Sequence, residues 1–290
     1  MSATTTAATP TPPAARPART QRLRNPAVLA AHRVGYEVRS YFRQSDTLFF
    51  TFSFPLLMLT IFSVAFSSSD FGDDQVSVTA AQYYLPAMLA AGVLLSGLQN
   101  LAIDIATEKN DGTLKRLAGT PLPPASYLAG KLGQVVVTGC IQAALVIALA
   151  AVAFGVPLPT DLGAWLTFAW VLLLGMVTCG LLGIGLSALP RSGRSASAVI
   201  TPPVLFLQFI SGVYLPFNGL PSWLQDVAAL FPLKWLAQGM RSVFLPEEFA
   251  AVEAGGAWDL GGVALACAVW LVVGAVLCRV TFRWVRQSGR

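Results

Sequence analysis

The sequence predicts an all-α membrane protein. It should have six transmembrane helices, an N-terminal amphipathic interfacial helix, a short cytoplasmic helix after the second span, and two short outer helices before the last. Three observations predict it. Only 11% of the 290 residues are charged, with 55% hydrophobic, whereas soluble domains carry about 25% charged residues. Six apolar runs approach the roughly 20 residues that cross a bilayer. Lys and Arg also alternate sharply between the segments that separate those runs.

The runs are 48–66, 83–103, 132–154, 162–189, 196–214 and 260–280. Their continuity suits helices, since outer-membrane strands show alternation over about 10 residues. Taken from the N-terminus, alternate connecting segments total 17 and 2 Lys plus Arg. Basic residues are retained on the cytoplasmic side. Both termini are therefore expected in the cytoplasm of a multi-pass protein of the plasma membrane, with the acidic loop Asp70, Asp73, Asp74 outside. The basic excess is a topology signal and gives no reason to expect a nucleic-acid partner.

Three regions are expected: 1–24 as a disordered tail, 25–46 as the interfacial helix and 47–290 as the six-span domain. Residues 1–24 are rich in Ala, Thr, Pro and Arg and have too little apolar surface to bury a core. No apolar stretch follows their charges soon enough for a signal peptide. Asn25-Pro26 is a helix start, an N-cap followed by Pro at the first helical position. Ala27, Ala30, Ala31, Val34, Val38, Tyr41 and Phe42 then form an apolar stripe at 3–4 residue spacing. Arg33, Glu37, Arg39 and Arg43 lie mostly off that stripe. This predicts a helix lying on the inner membrane surface.

The segment 104–131 should be cytoplasmic. Asp111-Gly112 should break the helix extending from the second span. Thr113 is expected to cap a one-turn helix, Leu114 to Ala118, ended by Gly119 and Pro121. Leu114 and Leu117 would form an exposed apolar ridge flanked by Lys115 and Arg116. Such a ridge calls for a partner, or folds back on the N-terminal helix or on lipid. In the segment 215–259, four prolines (216, 221, 232, 246) cut the apolar pieces too short to cross. Leu233, Leu236, Met240, Val243 and Phe244 share one helical side, and Trp223 and Trp235 suit the headgroup zone. The two outer helices are expected here, over the mouth of a pathway or simply closing the bundle.

Several chemistries lack their residues. A P-loop needs Gly at the first position of its motif and Ser or Thr after the Lys; before Gly130-Lys131 stands Ala125, and after it Leu132. Ion coupling normally uses ionisable groups inside the membrane, and the six runs hold none at mid-depth. The lone His32 lies in the N-terminal helix, and Cys140, Cys179, Cys267 and Cys278 have no metal-ligand spacing. No catalytic residue, metal or cofactor is expected in this chain.

Uncharged polar stripes do run through the spans. Ser96, Asn100 and Asp104 stand at i, i+4, i+8 with Gln99 beside them; Gln134, Thr138 and Gln142 repeat the spacing on the third span. On the fifth, Thr201, Gln208 and Ser211 share a side, with Phe206 and Phe209 nearby. Two readings stand: interhelical hydrogen bonds that hold the bundle, or the lining of a path for an amphiphilic cargo. Gly175, Cys179, Gly183 and Ser187 form a small-residue face for helix packing on the fourth span.

The run Glu108, Gly112-Thr113-Leu114, Arg116-Leu117, Thr120-Pro121-Leu122, Gly130-Lys131 resembles the signature of ABC-2-type permeases, the membrane subunits of one class of ATP-binding-cassette exporters. The run Ser211-Gly212, Pro216, Leu220-Pro221, Trp223-Leu224, Pro232-Leu233, Arg241 resembles that family's outer region. The resemblance covers about 60 residues as motif and most of the chain as topology. It implies that Glu108 and Gly112, Thr113, Leu114, Lys115, Arg116, Leu117 form a coupling helix docking on a separate ATPase subunit, present in two copies, which supplies ATP and Mg chemistry. It also implies a dimer with a second permease copy, homomeric or heteromeric, in membrane lipid. The second and fifth spans would meet at that interface, which favours Ser96, Gln99, Asn100, Thr201, Phe206, Gln208 and Phe209 as the substrate path. The expected function is export of a hydrophobic or amphipathic small molecule, drug- or antibiotic-like, with a lipid or lipid-linked glycan as the alternative cargo. An ion-coupled carrier and a non-transporting membrane anchor are the alternatives of another class.

Overall fold

Apolar runs this long satisfy their backbone only as helices, and helices dominate the computed structural model, which describes residues 26–72, 76–253 and 255–282. The expectations for the 1–24 tail, the Asn25 cap, Asp73, Asp74 and the C-terminal arginines 283, 286 and 290 lie outside the described residues. In chain order the helices are α1 (Pro26–Tyr41), α2 (Ser45–Ala65), α3 (Ala80–Leu94), a π-helical segment (Leu95–Asn100), α4 (Leu101–Asn110), α5 (Thr113–Ala118) and α6 (Pro124–Phe154). Then come α7 (Leu162–Leu186), α8 (Gly193–Ile210), α9 (Ser222–Ala229), α10 (Pro232–Phe244) and α11 (Leu260–Thr281). A two-residue antiparallel hairpin, Phe71–Gly72 with Ser77–Val78, interrupts the α2–α3 connection. It was not anticipated, being too short for a periodicity signal.

Among the described residues, five helices are long and apolar enough to cross a membrane: Ser45–Ala65, Ala80–Asn110 (α3 to α4 without a break), Pro124–Phe154, Leu162–Leu186 and Leu260–Thr281. The run expected as a further span, 196–214, is an 18-residue helix, α8, whose first turns carry Gly193, Arg194, Ser195 and Ser197. Past Ile210 the chain leaves helical geometry, and Gly212 takes a positive φ of 77°. Two spans run longer than expected. The second continues to Asn110, and the third begins at Pro124, eight residues before its apolar run, because Pro123-Pro124 supplies the start.

The helix from Ala80 is the centre of the bundle. Its most apolar window is 78% buried, against 22% in α2 and 17% in α11, so those two are peripheral. It packs against α2, α6, α7 and α10, and α11 lies along α7. Small side chains permit this: nearly every residue from Ala80 to Leu94 is buried, six of them alanine or glycine.

α1 does not lie off the body with its charges outward. It packs along α6, and Glu37 is buried while Arg33 is nearly so. Gly130 and Gly133 make the contact: a Cβ on either would collide with Arg33 or Val34. The expected polar face is therefore partly an inward face, because Lys131 of α6 offers Glu37 an opposite charge.

Candidate functional site

The central helix departs from α geometry at Leu95-Ser-Gly-Leu-Gln-Asn100, a π-helical turn. Such turns are rare and are often found at functional sites. Small residues permit the widened turn to sit against α7. A Cβ on Gly183 would come within 2.5 Å of the Gly97 carbonyl oxygen, and one on Gly97 within 2.9 Å of the Cys179 Cβ. Ser96 donates its hydroxyl back to the Gly92 carbonyl (2.9 Å). The small-residue face of α7 thus meets the π segment at Cys179 and Gly183, and meets α10 at Gly175, where a Cβ would lie 2.7 Å from Leu236 Cδ2. Ser187 is buried, its hydroxyl bonded to the Ile184 carbonyl.

In front of the π segment lies a cleft of about 890 Å³, walled by α2, the π segment, α4 and α8, with parts of α1, α5 and α6. Ser96, Gln99, Asn100, Thr201 and Gln208 line it. Phe206 and Phe209 do not; they are 55% and 44% exposed on another side of α8, with Phe209 against Tyr214. Helical geometry separates them from the lining residues: Thr201, Leu205 and Gln208 follow the 3–4 residue spacing of one face, which Phe206 and Phe209 miss by one position. None of residues 215–259 borders the cleft, so the far-end segment does not cover its mouth.

Thr51 of α2 ties this wall together, a role that the sequence did not signal. Asn100 Nδ2 donates to its hydroxyl at 2.8 Å, the Tyr41 hydroxyl donates to the same oxygen at 2.9 Å, and Gln142 Nε2 donates to its carbonyl at 2.7 Å. Burial holds the Tyr41 phenol above its ordinary 10.0, with the Asp104 charge adding to the rise against the bonds to Thr51 and Asn100. It therefore acts as a neutral donor. The sequence signal for Thr51 is weak, since a lone Thr in an apolar helix usually bonds its own preceding turn. Gln142 and Gln134 split between the two readings of their stripe: Gln134 lines the cleft, while Gln142 is committed to Thr51.

At the α5 end the cleft meets a charge cluster. Lys131, with 1% of its side chain exposed, lies 2.6 Å from Asp104, 2.7 Å from Glu108 and 3.0 Å from Glu37. Arg33 pairs with Glu37, and the Tyr127 hydroxyl donates to Glu108. Lys131 lies 23 positions before Phe154, about 35 Å along a straight helix. With a hydrocarbon core about 30 Å thick, the cluster belongs to the boundary layer. Glu108 is thus engaged within the chain, on the side of α4 that faces α6.

Beyond it, Asp111 ends α4 and Gly112 turns the chain in the left-handed region (φ 82°). Asp111 Oδ1 accepts from the Thr113 amide at 2.8 Å, so Thr113 is the first residue of α5 and the Asp111-Gly112 pair serves as its cap. Leu114 is buried at 3% exposure, which corrects the expected exposed Leu114–Leu117 ridge: Leu114 anchors α5 to the body. Lys115 and Arg116 are exposed, and Leu117 is half-buried.

At the far end, α10 is buried along almost its full length, including Leu233, Leu236, Met240, Val243 and Phe244. It wedges between α3, α7 and α11. Arg241 forms a buried two-point ion pair with Glu253 (2.6 and 2.8 Å). Lys234 donates to Gln238 at 2.6 Å and lies 3.8 Å from the Trp235 ring centre. Burial holds its amine below the ordinary 10.5; Arg241 pushes the same way, and Glu253 and Asp259 oppose it. Arg241 belongs to the far-end motif, but its role inside this chain is to hold the 247–252 turn.

Comparison with known proteins adds a consistent set of relatives. "Probable multidrug ABC transporter permease YbhR" of Escherichia coli K12 is 22% identical over 178 residues, 61% of this chain and 48% of that protein. The transport permease ycf38 of Cyanophora paradoxa is 28% identical over 193 residues, 66% of this chain and 65% of that protein. The ycf38 of Porphyra purpurea is 24% identical over 191 residues. The match thus spans about half the length of the bacterial relative. The family model described as ABC-2 type transporter matches residues 34–245, from α1 through α10 and well over half of the chain. With its apolar membrane-length helices, the chain belongs to the ABC-2 type transporter family of integral membrane proteins.

Proposed function

We propose that this chain is the permease subunit of an ABC exporter, carrying a hydrophobic or amphipathic small molecule across the plasma membrane. A separate ATPase, in two copies, supplies the work by docking on the 108–118 segment. The observation that carries the reading is the cleft. It runs from the α4–α5 turn, at Asp111 and Thr113, up to Ser96 and Gln208. The exposed side of α5 and the cargo space thus share one short stretch of chain, and a push on α5 changes the shape of the cleft. Its volume falls in the range of small-molecule sites, roughly 300–1,000 Å³.

In this reading α8 is the sixth crossing. Its 18 residues extend about 27 Å, and the segment 211–214, of which Val213 and Tyr214 are buried apolar residues, completes the passage. Both termini and α5 are cytoplasmic, by the 17-to-2 distribution of Lys and Arg. A second permease copy covers the side of α8 that carries Phe206 and Phe209, both exposed in the single chain. The name of the bacterial relative, a multidrug permease, supports drug-like cargo over a lipid-linked glycan.

Leu114 is unsuitable for testing the docking site, because its loss would disturb the fold. Reversing the exposed charges with Lys115→Glu and Arg116→Glu is expected to abolish co-purification of the ATPase and nucleotide-driven flux in vesicles, while the permease elutes as the wild type does. Full retention of the complex would remove α5 as the docking site. Flux without any nucleotide-hydrolysing subunit would remove the exporter reading altogether.

A further inference from the structure

The cleft has a sign. Among the described residues that line it, three are carboxylates (Asp104, Glu108 and Asp111) and none is Lys, Arg or His. In a chain of net charge +5, this is an uneven allocation. Lys131 approaches Asp104 and Glu108 from behind the wall and does not border the space. Among the described residues of the cluster, the three carboxylates Glu37, Asp104 and Glu108 pair with two cations, Lys131 and Arg33, an excess of one negative charge in this group. Asp111 adds a second at the rim. Arg116 reaches the rim through the Thr113 hydroxyl at 3.1 Å but lies on the solvent side of α5 and does not line the cleft.

Deeper in, the wall changes character. Phe50 and Phe54, one turn apart on α2, line the space together with Leu95 and Leu205 and the uncharged Ser96, Gln99 and Gln208. An apolar body fits there by burial of its surface. Aromatic faces attract a cation and repel an anion. Opposite ends of one cavity thus select opposite ends of one amphiphile.

We propose that the cargo is an amphipathic organic cation: an amine or onium group at the α5 end beside Asp104 and Asp111, and an aromatic or alkyl body against Phe50, Phe54 and Leu205. This rests on the reading of the cleft as the cargo site and gives that site its chemical class. The order of charges also fixes an orientation. The cationic end lies nearest the cytoplasmic boundary, where an amphiphile dissolved in the inner leaflet already carries its charge, so the molecule enters without turning over.

The test uses the full chain in nanodiscs of zwitterionic phosphatidylcholine, without nucleotide or ATPase. Binding of radiolabelled tetraphenylphosphonium is compared, in a separate assay, with that of tetraphenylborate, an ion of the same shape and opposite charge. The cation should bind saturably above empty discs and the anion should not. Asp111→Asn keeps the acceptor for the Thr113 amide and leaves the Lys131 cluster intact. It should weaken the cation roughly fivefold, the upper range for a single exposed ion pair. Leu205→Trp, which fills the cleft from α8, should abolish binding. Equal saturable binding of both ions, no saturable binding of the cation, or unchanged cation affinity in Asp111→Asn would overturn the proposal. Charge-selective binding without any ATP-driven flux would defeat the exporter reading alone, whereas ATP-driven flux confined to neutral or anionic solutes would defeat this inference alone.

Discussion

At the scale of single residues, Lys131 shows how one side chain fixes three elements. It joins Glu37 of α1, Asp104 and Glu108 of α4 to α6. Removing a buried charge strands its partners, typically at a cost of 3–5 kcal/mol. Lys131→Met is therefore expected to lower stability by about 3 kcal/mol or more, seen as a large drop in melting temperature in detergent. Glu108→Gln should cost much less, since Glu37 and Asp104 then balance Lys131 and Arg33. Equal losses in the two variants would contradict the charge accounting. The sequence exposed Lys131 only as half of a motif beside Gly130. Nothing in its spacing named Glu37, because an amphipathic pattern is read on the assumption that charges face outward, and here one opposite charge on a neighbouring helix reverses that rule. Thr51 was invisible for a related reason: its three bonds come from residues 10, 49 and 91 positions away.

At the scale of elements, the sequence was most informative where apolar length decides. The helices α2, α3–α4, α6, α7 and α11 are readable as runs, and the α4–α5 break is readable from Asp111-Gly112. The π segment is not readable, since one extra residue in a turn leaves no trace in a hydrophobic pattern and depends on Gly97 meeting Cys179 and Gly183 across an interface. A π turn amounts to one inserted residue. Deleting Leu95 should therefore restore regular α geometry while keeping the flanking faces of α3 and α4 in register. The expected result is a folded, membrane-inserted protein with wild-type elution but flux lowered at least several-fold, because Ser96 and Gln99 leave the cleft wall. Loss of the folded protein would instead assign the segment to packing. The lining of the cleft was legible in part for the same geometric reason. Ser96, Gln99, Asn100, Thr201 and Gln208 were found by polarity, whereas Phe206 and Phe209 were placed by proximity in sequence and fall off the lining face.

At the scale of the whole molecule, the asymmetry of charge and the asymmetry of the cleft point to the same end. The open space lies with α5, Asp104 and Asp111, while α10 and its Arg241–Glu253 pair fill the other end. A cysteine placed at Lys115 should react with a membrane-impermeant maleimide only in inside-out vesicles, and one placed at Trp223, which is 65% exposed, only in intact cells. The reverse pattern would invert the topology and the direction of transport with it. The native Cys140 is itself exposed, so the experiment begins from a Cys140→Ser background.

Gly130 and Gly133 let α1 nest into α6, with the Arg33 and Val34 side chains lying directly against the α6 backbone. That seam makes a rigid strut from two pieces that would otherwise slide. In the proposed orientation α1 turns its outer side toward the headgroup layer, and the strut would float with the bilayer surface while α5 hangs below it. A force arriving from beneath would then be resisted by the lipid interface itself, with the membrane as the fulcrum against which the bundle is levered.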